Sequence, residues 1–380
     1  VKKHSKHNVD LILKNTDALS GTPKILMRQA FALAAAHFDV SVISENFHSS
    51  LISSHQVKCH KTIKWPRSSL FQRRFFDWQA RRKIRSDSLV IGHGDSLFQD
   101  ILFLHTCAEK GSEVAPGAHN KKNYSIPFHR MIFEQGKVNE VICVSHMMKN
   151  DIQARYDVKV PIHVLHPCHD KDIINQVDPS AVREIRKNLK VQDGQVVVAV
   201  IASGNLENRG AFTLLRSMAI LTPDEREKIK VLIVGKENRP AKIYQLAQEV
   251  GMKDKVLWME PRTDVGNIIS AADVVVHAAH IEASGLTFLE FMALSRPVIA
   301  TETVGFSEIL PDIQKEFVIR RQDAQEIAQK IKILLANPEL RQKLGQENRK
   351  VAALMTWESY DQKFMEIVAN YLEKKQSLLK

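Results

Sequence analysis

Short apolar runs rich in Val, Ile and Leu recur along the chain. Most lead through a polar turn into a stretch whose apolar positions lie three and four apart. The runs Val9–Leu13, Val40–Ser44, Ser88–Gly92, Ile101–Leu104, Glu140–Ser145 and His163–Pro167 predict one set of buried parallel strands. Val196–Ile201, Lys230–Gly235, Lys255–Met259, Val274–Ala278 and Pro297–Ala300 predict another. Helical periodicity marks Ile25–His37, His146–Tyr156, Pro240–Val250, Gly266–Ala272, Ala324–Ala336, Pro338–Ala353 and Trp357–Leu379. Strands alternating with helices predict an α/β protein with doubly wound parallel sheets. Asn15–Pro23 reads as a turn-rich loop, and Cys107–Lys137, broken by Pro and Gly, as a long surface excursion.

At 380 residues the chain suits two cores. No apolar run approaches the roughly 20 residues of a membrane-spanning helix. The basic N-terminus followed by a short apolar stretch reads as a strand, not a signal peptide. Cys59, Cys107, Cys143 and Cys168 lack CxxC spacing, so free thiols in a reduced cytoplasm are expected.

Charge adds an asymmetry. The formal net charge is +11, and residues 1–170 carry 24 Lys and Arg against 15 Asp and Glu, so +9 resides there. An anionic partner for this half is expected: a phosphorylated acceptor, an anionic membrane surface or nucleic acid. Ser68–Arg85 interleaves Arg73, Arg74, Arg81, Arg82, Lys83 and Arg85 with Phe71, Phe75, Phe76 and Trp78. Such a helix either packs its aromatics on the sheet or lies in a membrane interface. No zinc-finger, RNP or helix-turn-helix signature supports nucleic acid.

The stretch with the most chemistry is Ala271–Thr301. Glu282 and Glu290 stand eight residues apart, one in the turn after a strand and one on the following helix, with Ser284 and Gly285 where that helix should begin. Unpaired N–H groups and the positive end of the dipole suit a phosphate there. The turn also lies at the carboxyl end of a strand, where α/β sheets bind ligands. His93 and Asp95 leave one strand of the first half and His105 another; a histidine so placed either suits a sugar hydroxyl or proton movement, or is satisfied by neighbours in its loop.

The Glu-x7-Glu pattern, set in E-A-S-G-L-x-x-L-E-x-M-A-x-x-x-P-V-I-A-T, closely resembles the donor site of family 4 glycosyltransferases of GT-B fold. The resemblance implies two Rossmann-like doubly wound domains facing across a cleft. Residues 1–169 plus 360–380 would form the acceptor side, and 170–359 the nucleotide-sugar side. It implies a hexosyltransferase that retains anomeric configuration by front-face attack, with no cofactor and no metal. Glu282 would accept from donor-sugar hydroxyls and Glu290 from the ribose. Arg209 would clamp the diphosphate beside Asn208 and Gly210, helped by N–H groups near Ser284, Gly285 and Leu286. His105 would act on the acceptor side, Gly21 would let backbone approach the ligand, and Lys236 and Arg262 would border the base. The chain departs from the pattern at Pro167-Cys168-His169, where a P-N-G-like turn is usual, and in three further places. It has a single glycine, Gly21, where a Gly-Gly pair is usual; Asn208-Arg209-Gly210 where Arg-Lys-Gly is usual; and Ser295 where glycine is common.

FEQGK at Phe133–Lys137, AEK at Ala108–Lys110 and VGKENRPAKIYQLAQEVG at Val234–Gly251 resemble the lipopolysaccharide core glucosyltransferases within that family. This implies glucose transfer from UDP-glucose onto a phosphorylated, heptose-containing inner core. The enzyme would be cytoplasmic and peripheral to an anionic inner-membrane surface. Rival readings are a family 4 enzyme of O-antigen, capsule or glycolipid synthesis, a nucleotide-sugar epimerase or hydrolase, and a basic membrane-binding or nucleic-acid-binding protein.

Overall fold

The computed structural model describes residues 7–17, 21–114, 123–169, 171–237 and 240–377. The chain divides near Pro167 and Trp357 into two compact units, the first completed by residues from Glu358 onward. The sequence placed those crossings two residues later.

The first unit holds strands β1 (Asn8–Ile12), β2 (Asp39–Ser44), β3 (Val57–Lys61), β4 (Leu89–Gly92), β5 (Ile101–Leu104), β6 (Glu140–Cys143) and β7 (Ile162–Val164). They pair in the order β3-β2-β1-β4-β5-β6-β7, all parallel. The second unit holds β8 (Val196–Asn205), β9 (Ile229–Lys236), β10 (Val256–Met259), β11 (Val274–His277), β12 (Val298–Thr301) and β13 (Val318–Ile319), in the order β10-β9-β8-β11-β12-β13, also all parallel. The strand order of each sheet therefore reverses once, between β1 and β4 and between β8 and β11. Such switch points open a crevice at the carboxyl ends of the strands. The two doubly wound sheets expected from the alternation are observed.

Period-2 alternation builds both faces of the second sheet. Val198 and Val200 of β8 face Leu214, Leu215, Ile327 and Ile331. Val197 and Ala199 face Ile268, Ile269, Leu289 and Met292. The helix Trp357–Ser377 contributes to the first unit through several side chains. Gln29 donates to the Tyr360 hydroxyl at 2.8 Å, Arg28 pairs with Asp361, and the Tyr371 hydroxyl donates to Asp100 at 2.7 Å.

Several elements differ from expectation. The first helix starts at Gly21, not Ile25, because Pro23 lies in the first turn, where its missing N–H costs nothing. Ser20 lies outside the described residues. The excursion after Cys107 carries two helices, Ala108–Val114 and Ser125–Glu134. The second buries Phe128, His129 and Ile132, so this stretch contributes to the core; residues 115–122 are outside the described set. Strand β3 and the helix Pro179–Asn188 were not predicted, although Asp178 caps that helix and Pro179 opens it. The four cysteines are free thiols.

Ser295 has φ +58. Left-handed backbone costs an L-residue roughly 1–2 kcal/mol, partly offset by glycine's greater unfolded entropy. Ser295→Gly is therefore expected to stabilise the protein by about 0.5–1 kcal/mol, raising the melting temperature by about 1–4 °C in a thermal scan.

Candidate active site

Strands β8 and β11 are neighbours, with Val274 and Val275 opposite Val198 and Ala199. The turns leaving their carboxyl ends therefore share one crevice. After β8 the chain turns through Leu206–Gly210 into the helix Ala211–Met218, whose N-cap, Gly210, has φ +85. A Cβ at Gly210 would lie 2.7 Å from the Ala278 carbonyl oxygen and 3.0 Å from the Ala278 Cβ, so only glycine lets the two turns touch. The contact is stapled. The His280 N–H donates to the Asn208 carbonyl at 2.9 Å, and the Gln322 amide donates to the same oxygen at 3.1 Å. Arg209 sits between the anchored Asn208 carbonyl and the Gly210–Ala278 contact, on a backbone held from both sides.

Glu282 hangs from the second turn, and its backbone is fixed to the segment after β12. Its N–H donates to the Thr303 carbonyl at 2.9 Å, and its carbonyl accepts from Gly305 at 2.8 Å. The Thr301 and Thr303 hydroxyls both donate to the Ala279 carbonyl, at 2.7 and 2.6 Å. Arg209 Nη1 approaches Glu282 Oε2 to 2.5 Å, a charge contact rather than an aligned hydrogen bond. His277 Nε2 donates to that same oxygen at 2.5 Å. Burial pushes the Glu282 carboxyl up, but the facing His277 and Arg209 outweigh it and hold it below its ordinary value. Glu282 is thus an ionised acceptor fixed in orientation.

Gly285, φ +96, caps the helix Leu286–Ala293. A Cβ there would meet the Glu282 carboxyl carbon at 3.3 Å, so glycine keeps the space beside the carboxylate open. The Ser284 carbonyl accepts from Phe306 at 3.2 Å, and Leu286 begins the helix whose first N–H groups lack intrahelical partners. Glu290 lies on the same helix and is half-buried.

The remaining residues singled out from sequence are placed as follows. Lys236 is the exposed last residue of β9; Asn238 and Arg239 beyond it lie outside the described residues. Arg262 forms a two-pronged pair with Asp264, 2.7 Å on each arm, at the entrance to the helix Val265–Ala271. Gly21 opens the first helix of the first unit.

His105 lies at the switch point of the first sheet. A cavity of about 310 Å³ is lined there by Lys14, Asn15, Arg73, His93, Asp95, His105, Thr106, Ser125 and His129, among others. Arg73 pairs with Asp95 at 2.8 Å and donates to the Ser125 hydroxyl at 2.6 Å. The Lys14 N–H donates to Asp95 at 3.0 Å. His93 Nδ1 and His105 Nε2 share a hydrogen at 2.8 Å, their rings stacked at 5.1 Å. Burial lowers His105 to about 3 and His129 to about 4, and holds His93 well below its ordinary value. At neutral pH these are neutral imidazoles, suited to hydrogen-bonding hydroxyls.

Some participants escaped the sequence reading. His277 is the most informative: one polar residue ending an otherwise apolar strand was its signal. Gln322 and the Thr301–Thr303 pair gave none, because they act through backbone carbonyls far away in sequence. Within FEQGK, Gly136 is set by packing. A Cβ at Gly136 would lie 2.4 Å from the Ile132 carbonyl and 2.5 Å from that of Leu97.

Residues 181–351 match the family described as "Glycosyl transferases group 1". The chain is 26% identical over 252 residues to the lipopolysaccharide glucosyltransferase WaaG of Escherichia coli, covering 65% of this chain and 66% of that one. It is 28% identical over 287 residues to a D-inositol 3-phosphate glycosyltransferase of Corynebacterium urealyticum, covering 70% and 66%. The matched stretches thus span about two thirds of these relatives' own lengths. Among solved structures, that of WaaG superposes with a TM-score of 0.77 at 21% identity, covering 94% of this chain and 99% of that one. Anabaena HepE in complex with UDP-glucose superposes with a TM-score of 0.74 at 15% identity, covering 96% and 99%. Residues 181–351 thus carry a domain that matches the group 1 glycosyl transferases, and the chain as a whole shares the two-sheet α/β fold of GT-B glycosyltransferase structures.

Proposed function

We propose that this protein transfers a hexose, glucose from UDP-glucose, with retention of configuration, onto a heptose-containing phosphorylated inner core of lipopolysaccharide. The observation that carries this reading is the Arg209–Glu282–His277 constellation at the switch point of the second sheet, beside a helix start held open by Gly285. The donor diphosphate lies against Arg209, whose guanidinium matches phosphate oxygens, and against the N–H groups at Gly285–Leu286. As the bond to the anomeric carbon breaks, charge grows on the departing phosphate. Those fixed positive groups stabilise it without a cofactor or a metal. Glu282 accepts from sugar hydroxyls and Glu290 from the ribose. Asn208 and Gly210 hold Arg209 in place, and Lys236 and Arg262 border the base. On the acceptor side, His105 hydrogen-bonds a hydroxyl of the incoming sugar, and Gly21 lets backbone approach it. The names of two similar proteins support glucose and a lipopolysaccharide acceptor: WaaG is called a lipopolysaccharide glucosyltransferase, and HepE was solved with UDP-glucose.

Titration calorimetry with a panel of nucleoside diphosphates and their sugars tests the donor. UDP and UDP-glucose should bind most tightly, and equal affinity across the panel would sink the assignment. Transfer to heptose-containing cores, compared with lipid-phosphate acceptors, tests the acceptor. A nucleotide-sugar epimerase or hydrolase would instead consume donor without acceptor at a comparable rate.

The reading includes a peripheral place on the cytoplasmic face of the inner membrane. Among the described residues no helix is long and apolar enough to cross a bilayer. The helix Leu70–Arg81 sends Phe76 into the core, but Phe71 and Trp78 remain 56% and 48% exposed beside Trp65 and Ile63. Their rings form a row, Trp65–Phe71 at 4.9 Å and Phe75–Trp78 at 5.8 Å, and the Arg82 guanidinium lies 4.0 Å over Trp78. Asp77, the only acid of that helix, is buried and paired with Arg81. Exposed Lys64, Arg67, Arg74 and Arg82 surround the row, which suits an anionic leaflet better than nucleic acid. Each cation near such a surface contributes about 1 kcal/mol. The Arg74→Gln/Arg82→Gln pair should therefore weaken sedimentation with phosphatidylglycerol vesicles by roughly thirtyfold. Unchanged binding would exclude this surface.

A further inference from the structure

Glu282 has two carboxylate oxygens, and both protein partners take the same one. Arg209 Nη1 and His277 Nε2 each lie 2.5 Å from Oε2, while Oε1 has no partner among the described residues. The partners differ in freedom. Arg209 is about a quarter exposed and carries further N–H groups. His277 is 2% exposed, ends a core strand, and is boxed edge-on by Phe288 and Phe291, with ring centroids 5.7 Å away in each case. Among the described residues its Nδ1 is buried without a partner, an arrangement that costs stability and serves no structural hydrogen bond. The Arg209 tether is therefore one that a doubly charged diphosphate can draw away. The His277 tether is not.

We propose that His277 is the positioning residue that keeps Glu282 Oε2 anchored, and Oε1 turned toward the donor sugar, when the donor diphosphate recruits Arg209. This rests on the donor-site reading above and deepens it. Without His277, binding of the diphosphate would leave a buried carboxylate with no fixed donor. The side chain would then rotate or take up a proton, and the sugar would lose its acceptor at the moment of transfer. Arg209 would still hold the diphosphate, so the loss should fall on turnover rather than on donor affinity.

The titratable groups that face Glu282 are His277 from β11 and Arg209 from the turn after β8. Glu302 and Glu308 flank the Thr303–Gly305 segment packed against its backbone. Removing His277 takes away one of the two groups that oppose burial, so the Glu282 carboxyl rises. The acid limb of the turnover–pH profile should then move toward neutral pH. A purely structural histidine would not move that limb.

The experiment compares wild type with His277→Leu, His277→Gln and Glu282→Gln in transfer from UDP-glucose. Leucine fits the aromatic box, and glutamine returns an N–H to the same region. For His277→Leu, kcat should fall about ten- to fiftyfold with KM for donor within about threefold of wild type and the acid limb shifted upward. Glutamine should restore at least half of the lost activity in logarithmic terms. Thermal melts identify a variant that fails to fold, and His277→Gln alone then decides by its pH profile. Full activity in His277→Leu with loss in Glu282→Gln would overturn the positioning role and leave the donor site standing. Full activity in Glu282→Gln would overturn both.

Discussion

Glu282→Ala and Arg209→Ala are each expected to cut sugar transfer by about a hundred- to a thousandfold, the range for losing one fixed group that stabilises developing charge. On the proposed reading, Arg209 would face the diphosphate, where the leaving charge grows, and Glu282 would offer Oε1 to the sugar. Because the two side chains touch, their effects should not add; the double variant should be little worse than either single one. The folds should survive unequally. Arg209→Ala leaves Glu282 still held by His277, whereas Glu282→Ala leaves His277 Nε2 buried without an acceptor, at about 1–3 kcal/mol. Donor titration, transfer rates and thermal melts on purified variants check each part. Wild-type turnover in either single variant would remove that residue from the mechanism.

Gly210→Ala should damage both stability and donor binding. Its φ of +85 costs an L-residue about 1–2 kcal/mol, and the new Cβ would press on the backbone oxygen and the Cβ of Ala278, neither of which can rotate aside. The turn must move, and Arg209 is the adjacent residue. A loss of about 2–3 kcal/mol, read as a melting temperature lower by about 5–10 °C, should accompany at least a tenfold loss in UDP affinity. Gly194→Ala provides the comparison. It has a similar φ of +79 but open space around its Cβ, so it should show only the backbone cost and normal donor binding. Equal behaviour of the two variants would mean that the Gly210–Ala278 contact does not shape the site.

The extent to which the molecule was legible in its sequence follows from the range of the forces involved. Val274–His277 and Val298–Thr301 read as buried strands because nearly every side chain in them is apolar, a local property. The left-handed caps at Gly210 and Gly285 were legible as glycines in turns, since only glycine takes such backbone without penalty. Strand β3 was not, because its Val-Lys-Cys-His-Lys pattern is that of a half-exposed edge whose pairing with β2 is what makes it a strand. The surface excursion was misread for a related reason. Phe128 and Ile132 are apolar at helical spacing, but the breakers around them carry a stronger local signal than the partners they find.

By itself, the sequence determined that the chain alternates strands and helices, that Ser284 and Gly285 open a helix between Glu282 in the turn and Glu290 on the helix, and that Arg209 is a cation in the matching turn. Only the tertiary structure decided that Arg209 and Glu282 touch, that His277 grips the same oxygen, and that His93 and His105 share a hydrogen in a different sheet. Periodicity and capping depend on neighbours a few residues away and leave a trace in the string. A contact across 73 residues, like that between Arg209 and Glu282, depends on strand order, and strand order is fixed only when two faces of a sheet are buried together.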